Sequence, residues 1–177
     1  GVELEWQIDT SEDFGNPQTG TVTTSADSDH TVHVDPDGLE PATEYFYRFI
    51  VKSGEFEGAT SPVGRALTAP EADASVDNLN LAIASCANWE SGFFAAYGDM
   101  AQRARGGEID HVVFLGDYIY EYPTGEYAGK SGVARMHHPE WEITTLEDYR
   151  QRHGRYRTDL NLQAAHAACP WIVIWDD

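Results

Sequence analysis

Side chains that could bind a metal ion stand where three short apolar runs of the sequence end. They are Cys86 after the first run, Asp117 after the second, and Asp176 and Asp177 after the third. If the runs are parallel strands of one sheet, their carboxyl ends open onto the same crevice, so these side chains should lie close together. Carboxylate and thiolate groups gathered at one sheet edge predict a metal centre there.

Cys86 allows three interpretations. It could be a small buried hydrophobic residue, which is the usual environment of a free cysteine. It could also be the nucleophile of a cysteine hydrolase, but that chemistry needs a neighbouring histidine, and the sequence singles none out. A thiolate metal ligand suits a residue that follows a strand and lies beside acidic side chains.

Asp117 and Tyr120 follow the second apolar run at a spacing that favours a metal site. Gly116 permits a tight turn after the run, so that the Asp117 carboxylate can point into the crevice and bridge two cations. A phenol with an ordinary pKa of about 10 binds a cation only if a strong Lewis acid such as ferric iron removes its proton. Asp, Tyr and Cys together therefore suit a trivalent metal better than zinc. The alternative is that Tyr118 and Tyr120 are a pair of packing residues.

The three apolar runs alternate with segments of helical spacing. The pattern predicts strands at residues 81–85, 111–115 and 171–175, and helices at 92–105, 146–156 and 160–168. Strands that alternate with helices are typical of βαβ units and a largely parallel sheet. We therefore expect an α/β domain over residues 81–177, in which a long polar excursion covers about residues 123–144.

The first 70 residues have a different pattern, with short β-type runs separated by turn residues. The predicted strands are residues 2–8, 21–24, 31–34, 44–52 and 63–68. Together they predict an all-β sandwich, followed by a linker at residues 71–80. Residues 38–47 resemble the fibronectin type III signature, in which Tyr45 would hydrogen-bond back across a corner of the chain.

The charge of the chain limits its partners. The 177 residues carry a net charge of −19, and lysine occurs only as Lys52 and Lys130. This charge disfavours nucleic acid and anionic membranes as partners. It suits concentrated salt, which screens the repulsion, and so indicates a salt-adapted source; the alternative is an ordinary acidic secreted protein. The longest apolar runs are far shorter than a bilayer span, so no transmembrane segment is expected.

The motif GDYIYEY at residues 116–122, with Cys86 before it and the Trp-Asp-Asp of residues 175–177 after it, resembles the PhoD-type alkaline phosphatases and related phospholipase D enzymes. The resemblance implies a multi-domain protein with a fibronectin III-like sandwich in front of a calcineurin-like metallophosphoesterase domain. It also implies that Cys86, Asp117 and Tyr120 hold Fe³⁺, that Asp117 bridges to Ca²⁺, and that Asp177 is the next ligand. Family members continue after this point, so we expect an N-terminal part of the enzyme.

The implied activity is that of a secreted, metal-dependent phosphoesterase, exported by the twin-arginine route, which acts on small phosphate monoesters or diesters. The alternatives are a phospholipase D-like phosphodiesterase on the same scaffold and a non-catalytic binding module. The motifs leave the oligomeric state open.

Two further residues are weaker candidates for binding substrate. Arg157 belongs to a basic cluster that also contains Arg150, Arg152 and Arg155, and the favoured alternative is a solvated helix face that pairs with nearby acids. His138 lies in the long excursion, from which it could face the site.

Overall fold

The computed structural model describes residues 1–174, and the chain divides into two compact units between Leu79 and Asn80. The first unit is rich in β-structure, and the second contains both helices and strands. The predicted sequence of a β-rich part followed by an α/β part is therefore confirmed. Each unit is described by itself below.

The N-terminal unit contains one antiparallel sheet of four strands in the order β2-β1-β3-β4. The strands are β1 (Glu3–Asp9), β2 (Gln18–Thr23), β3 (Glu44–Val51) and β4 (Gly64–Leu67). The expected strand at residues 31–34 is wrong, because this segment has the alternating exposure of a strand but no ladder partner. A β-sandwich consists of two packed sheets. Residues 1–79 form only this one sheet, so the structure shows the predicted β-structure but not the second sheet of a sandwich.

Aromatic rings pack on glycines across this sheet. Trp6 pairs with Gly20 and Tyr47 with Gly64, and a Cβ atom at Gly64 would come within 2.2 Å of the Tyr47 ring. The missing side chains thus let the rings lie close against the neighbouring strand. At the start of β3, Tyr45 is almost buried, and its Oη accepts a hydrogen bond of 2.9 Å from the Glu40 N–H. This is the contact expected of a tyrosine corner.

The C-terminal unit is built on a parallel sheet of three strands in the order β5-β6-β7. Its elements are β5 (Leu81–Ala84), α1 (Ala95–Arg105), β6 (His111–Phe114), α2 (Leu146–Arg157), α3 (Leu160–Ala168) and β7 (Trp171–Val173). Every helix and strand predicted for this part is confirmed, as is the parallel pairing. The ends of these elements differ from the predicted ends by up to three residues. Hydrophobic periodicity shows which face of an element is buried better than it shows where the element begins or ends.

The core of this unit lies between the sheet and the helices. Val112 and Phe114 of β6 are completely buried, and so are Tyr156 of α2 and Leu162 of α3. Helix α2 begins with a capping box between Thr145 and Asp148, which satisfies backbone N–H groups that the first helical turn leaves free. Among residues 1–174, no helix has both the length and the apolar character that crossing a bilayer requires.

Candidate metal centre

The loops that follow β5 and β6 are hydrogen-bonded to each other. Beyond the strands, the Cys86 N–H donates to the Gly116 carbonyl at 3.1 Å, and the Ala87 N–H donates to the Asp117 carbonyl at 2.9 Å. The two strands are neighbours in a parallel sheet, so their carboxyl ends coincide. Cys86 and Asp117 therefore meet at the edge where the sequence predicted them.

Both residues have a backbone conformation that is rare for side chains other than glycine. The φ angle is 60° at Cys86 and 56° at Asp117, which lies in the left-handed region. Such a conformation costs on the order of 1–3 kcal/mol and is concentrated at functional sites. The packing and hydrogen bonds of the two loops must offset this cost.

Two donor groups converge on one carboxylate oxygen. Asp117 Oδ2 accepts hydrogen bonds from Cys86 Sγ at 3.3 Å and from Tyr120 Oη at 3.0 Å. Cys86 is exposed, so its interpretation as a buried hydrophobic residue is wrong. Tyr120 is 8% exposed, and its hydroxyl points at the carboxylate instead of merely packing.

The surroundings of Tyr120 keep its phenol protonated when no cation is bound. Burial, followed by the hydrogen bonds to Asp117 and Cys86, raises the pKa of Tyr120 well above its usual value. The phenol therefore keeps its proton unless a metal ion replaces it. A cation at this point would replace the two protons through which Cys86 and Tyr120 contact Asp117. The donor set of thiol, phenol and carboxylate fits a hard or borderline trivalent metal.

The described residues would supply only part of the predicted metal centre. Within residues 1–174, no group of three His, Cys, Asp or Glu side chains lies close enough to hold a metal ion, so a site here depends on Tyr120 as the third donor. The predicted ligand Asp177 lies outside the described residues, as does Asp176. The role of Asp177 stays a prediction.

Tyr118 turns away from the cluster and binds Arg157. Arg157 Nη1 donates to Tyr118 Oη at 3.2 Å, and that oxygen lies 2.8 Å from His166 Nε2. Arg157 is exposed, and its partner directly follows Asp117 in the chain. His138 is also exposed, but no hydrogen bond joins it to the Asp117 cluster within residues 1–174. The substrate-binding roles of Arg157 and His138 remain predictions.

Arg152 is a structurally important residue whose environment differs from the one predicted. Its side chain is completely buried, so the expectation of a solvated helix face is wrong at this position. Its guanidinium donates to four backbone carbonyls, those of Tyr120, Tyr122, Pro139 and Trp141. One signal was available, because Arg152 lies four residues before Tyr156 and thus on the same inward face of α2. Arg152 joins the loop of Tyr120 to the long excursion.

The excursion at residues 123–144 is fastened to the helical core by further buried contacts. The Glu90 carboxylate is fully buried and accepts a hydrogen bond of 2.6 Å from the Gly125 N–H. Arg135 pairs with Asp159 at 2.6 Å and lies 3.5 Å over the Trp89 ring. These contacts make the excursion part of the packed unit.

One buried histidine, His137, and one partly buried histidine, His166, should make this unit sensitive to acid. Burial, and secondarily the charge of Arg152, lowers the pKa of His137 to about 4, and burial with the nearby Arg157 and His153 lowers the pKa of His166 to about 3. In the unfolded chain both rings bind protons below about pH 6.5. Their contribution to stability is therefore present above that pH and is lost as the pH falls towards 4.

We expect the double variant His137→Phe, His166→Phe to lose stability less steeply than the parent between about pH 6.5 and about pH 4.5. Thermal unfolding at several pH values measures this dependence. His33→Gln is the control, since His33 is exposed in the N-terminal unit. An equal pH dependence in parent and double variant would contradict the assignment.

Comparison with known proteins finds matches along the whole chain. Residues 81–177 match the family model of the PhoD-like phosphatase, and residues 1–70 match that of the PhoD-like phosphatase N-terminal domain. Alkaline phosphatase D of Bacillus subtilis (strain 168) is 45% identical over 177 residues, which cover 99% of this chain and 29% of that protein. The chain thus spans about a third of the length of such relatives.

Solved structures agree with these matches. A structure described as that of PhoD matches with a TM-score of 0.90 and 45% identity, over 99% of this chain and 32% of that one. The purple acid phosphatase PPD1 from yellow lupin seeds matches with a TM-score of 0.51 and 15% identity, over 99% of this chain and 30% of that one. The second likeness shows a shared fold.

Proposed function

Because this chain belongs to the PhoD-like phosphatase family, we propose that the complete protein is a metal-dependent phosphatase that hydrolyses phosphate esters. One observation carries the proposal: a thiol, a phenol and a carboxylate meet at Asp117 Oδ2, at the carboxyl edge of a parallel sheet. The family supports the reaction class, and the geometry supports this edge of the sheet as the proposed site.

The metals proposed for this site are Fe³⁺ and Ca²⁺. Cys86, Asp117 and Tyr120 would hold the iron, Asp117 would be shared with calcium, and Asp177 would be a further ligand. When bound, the cations polarise the phosphoryl oxygens of the substrate. The thiol and the phenol suit iron, whereas the carboxylate suits both cations, so the donor chemistry supports this assignment.

The side chains of this chain have separate roles in the proposed reaction. Cys86 Sγ and Tyr120 Oη would lose their protons on binding a cation, and Asp117 would supply negative charge to the bound cations. Arg157 would bind an oxygen of the phosphate, because a guanidinium that donates one N–H to Tyr118 still has donors that match phosphate geometry. His138 would be a second substrate contact from the excursion.

The proposal is tested with the full-length protein, loaded with iron and calcium. Hydrolysis of p-nitrophenyl phosphate and of bis(p-nitrophenyl) phosphate is measured with and without a chelator. We expect hydrolysis of at least one substrate and its loss with the chelator. Cleavage of a phospholipid headgroup bond alone would favour the phospholipase D-like alternative. A metal-loaded protein that hydrolyses none of the three would be a binding module, and the proposal would fail.

Four further features are part of this proposal. A site for calcium suits a protein that is secreted, here by the twin-arginine route, because calcium is plentiful outside the cell. The charge of −19 with two lysines supports adaptation to high salt. The hydrogen bond of Tyr45 supports a fibronectin III-like N-terminal domain over residues 1–70. The uninterrupted exposure of residues 71–80 supports a linker there.

A further inference from the structure

The Tyr127 ring stacks on two other tyrosine rings beside the candidate metal centre, those of Tyr120 and Tyr122. The centre of the Tyr127 ring lies 5.3 Å from that of Tyr120, and the two ring planes are inclined by 22°. The centre of the Tyr127 ring also lies 5.0 Å from that of Tyr122, and these two ring planes are inclined by 19°. Both distances are in the contact range of offset-stacked aromatic rings. Tyr127 thus covers a ring of the proposed metal site.

The backbone around Tyr127 is fixed by its neighbours. Asn88 Nδ2 donates to the Tyr127 carbonyl at 3.0 Å, and the Asn88 N–H donates to the Cys86 carbonyl at 3.0 Å. Two residues before Tyr127, the Gly125 N–H donates to the buried Glu90 carboxylate. The segment that carries Tyr127 is therefore tied to the loop that carries Cys86.

Tyr127 is much more exposed than the ring that it covers. Its side chain is 53% exposed, whereas Tyr120 is 8% exposed. The side-chain torsion angles of Tyr120 determine two things: the position of its hydroxyl oxygen and the plane of the ring, which orients the lone pairs of that oxygen. A ring packed on one face of Tyr120 restricts both, and thus holds the oxygen at 3.0 Å from Asp117 Oδ2.

We propose that Tyr127 is a positioning residue for Tyr120, and that its ring holds the Tyr120 phenol in contact with Asp117. The inference rests on the proposed function, in which Tyr120 binds ferric iron. The contact is between ring faces, so the ring of Tyr127 carries the role and its hydroxyl does not.

The test uses the full-length, metal-loaded protein with Tyr127→Ala and Tyr127→Phe. The readouts are the visible band in which Tyr120 transfers charge to iron, and kcat and KM measured separately. We expect Tyr127→Ala to shift or broaden the band and to lower kcat by about tenfold to a hundredfold with little change in KM, as a displaced reactive group does. Tyr127→Phe keeps the ring and should retain the parent band and kcat.

Two more variants separate positioning from folding. Tyr127→Leu keeps apolar bulk without a ring and should behave like Tyr127→Ala, while Phe56→Ala removes an exposed ring of the N-terminal unit and should change nothing. A parent band and kcat in Tyr127→Ala would overturn the inference, as would a Tyr127→Phe variant that is equally impaired. If Tyr120→Phe abolishes the band in those experiments, the proposed function survives this failure. An unchanged band in Tyr120→Phe removes Tyr120 from the iron, and with it both the inference and the proposed ligand set.

Discussion

Asp117→Ala is expected to abolish both metal binding and hydrolysis in the full-length protein. Asp117 Oδ2 accepts hydrogen bonds from Cys86 and Tyr120, and in the proposed site the same carboxylate serves two cations. Removing it leaves both cations under-coordinated and takes away several kcal/mol of charge stabilisation. We therefore expect the rate to fall by a factor on the order of 1,000 or more. Iron and calcium per chain and the rate with p-nitrophenyl phosphate measure the loss.

Asp117→Asn is the matched variant, because asparagine tolerates the left-handed backbone and keeps the side-chain shape while it removes the charge. It should resemble Asp117→Ala. Asp99→Asn on the exposed face of α1 is the control and should leave metal content and rate unchanged. Full metal content and parent activity in Asp117→Asn would contradict the role of this carboxylate.

Arg152→Met is expected to cause the largest loss of stability among single substitutions. The four carbonyls that accept from Arg152 lie in buried or partly buried surroundings, and methionine offers them no donor. Each unsatisfied group costs about 1–3 kcal/mol, and water entering the gap recovers part of this. We expect the free energy of unfolding to fall by about 3 kcal/mol or more, measured by chemical denaturation.

Arg152→Lys should recover only part of the stability, because a compact ammonium cannot reproduce the spread donors of a guanidinium. Arg155→Met on the same helix is the control. Arg155 is exposed, and its guanidinium lies 4.9 Å over the Trp89 ring, a contact worth about 0.5–1 kcal/mol at an exposed site. Equal losses in Arg152→Met and Arg155→Met would show that the carbonyl contacts are not what holds the excursion.

The proximity of Cys86, Asp117 and Tyr120 was predictable from the sequence, because it follows from local pattern and one topological rule. Apolar runs located β5 and β6, and parallel strands bring their carboxyl ends together. Cys86 and Asp117 were therefore expected to lie close together, and the three-residue spacing placed Tyr120 within reach of Asp117. The backbone strain at Cys86 and Asp117 was not predictable, because φ depends on the contacts of both loops.

Contacts between segments that are distant in the chain could not be predicted from the sequence. The stacking of Tyr127 on Tyr120 depends on the path of the excursion, which has no periodicity to read. Arg152 looked like one of four similar surface arginines, since charge says nothing about which acceptors surround a side chain. The false strand at residues 31–34 has the same origin: alternation shows which side chains face inward, but a strand also needs a partner.

The central claim is that Tyr120 binds ferric iron in a phosphatase site, and the iron content and visible spectrum of Tyr120→Phe in the full-length protein test it most directly. Phenylalanine keeps the ring and its stacking on Tyr127 but removes the oxygen that contacts Asp117. The account predicts a coloured parent protein, and a variant in which the band is lost or shifted and iron per chain falls while the fold is retained. Unchanged iron content and an unchanged spectrum in Tyr120→Phe would contradict it.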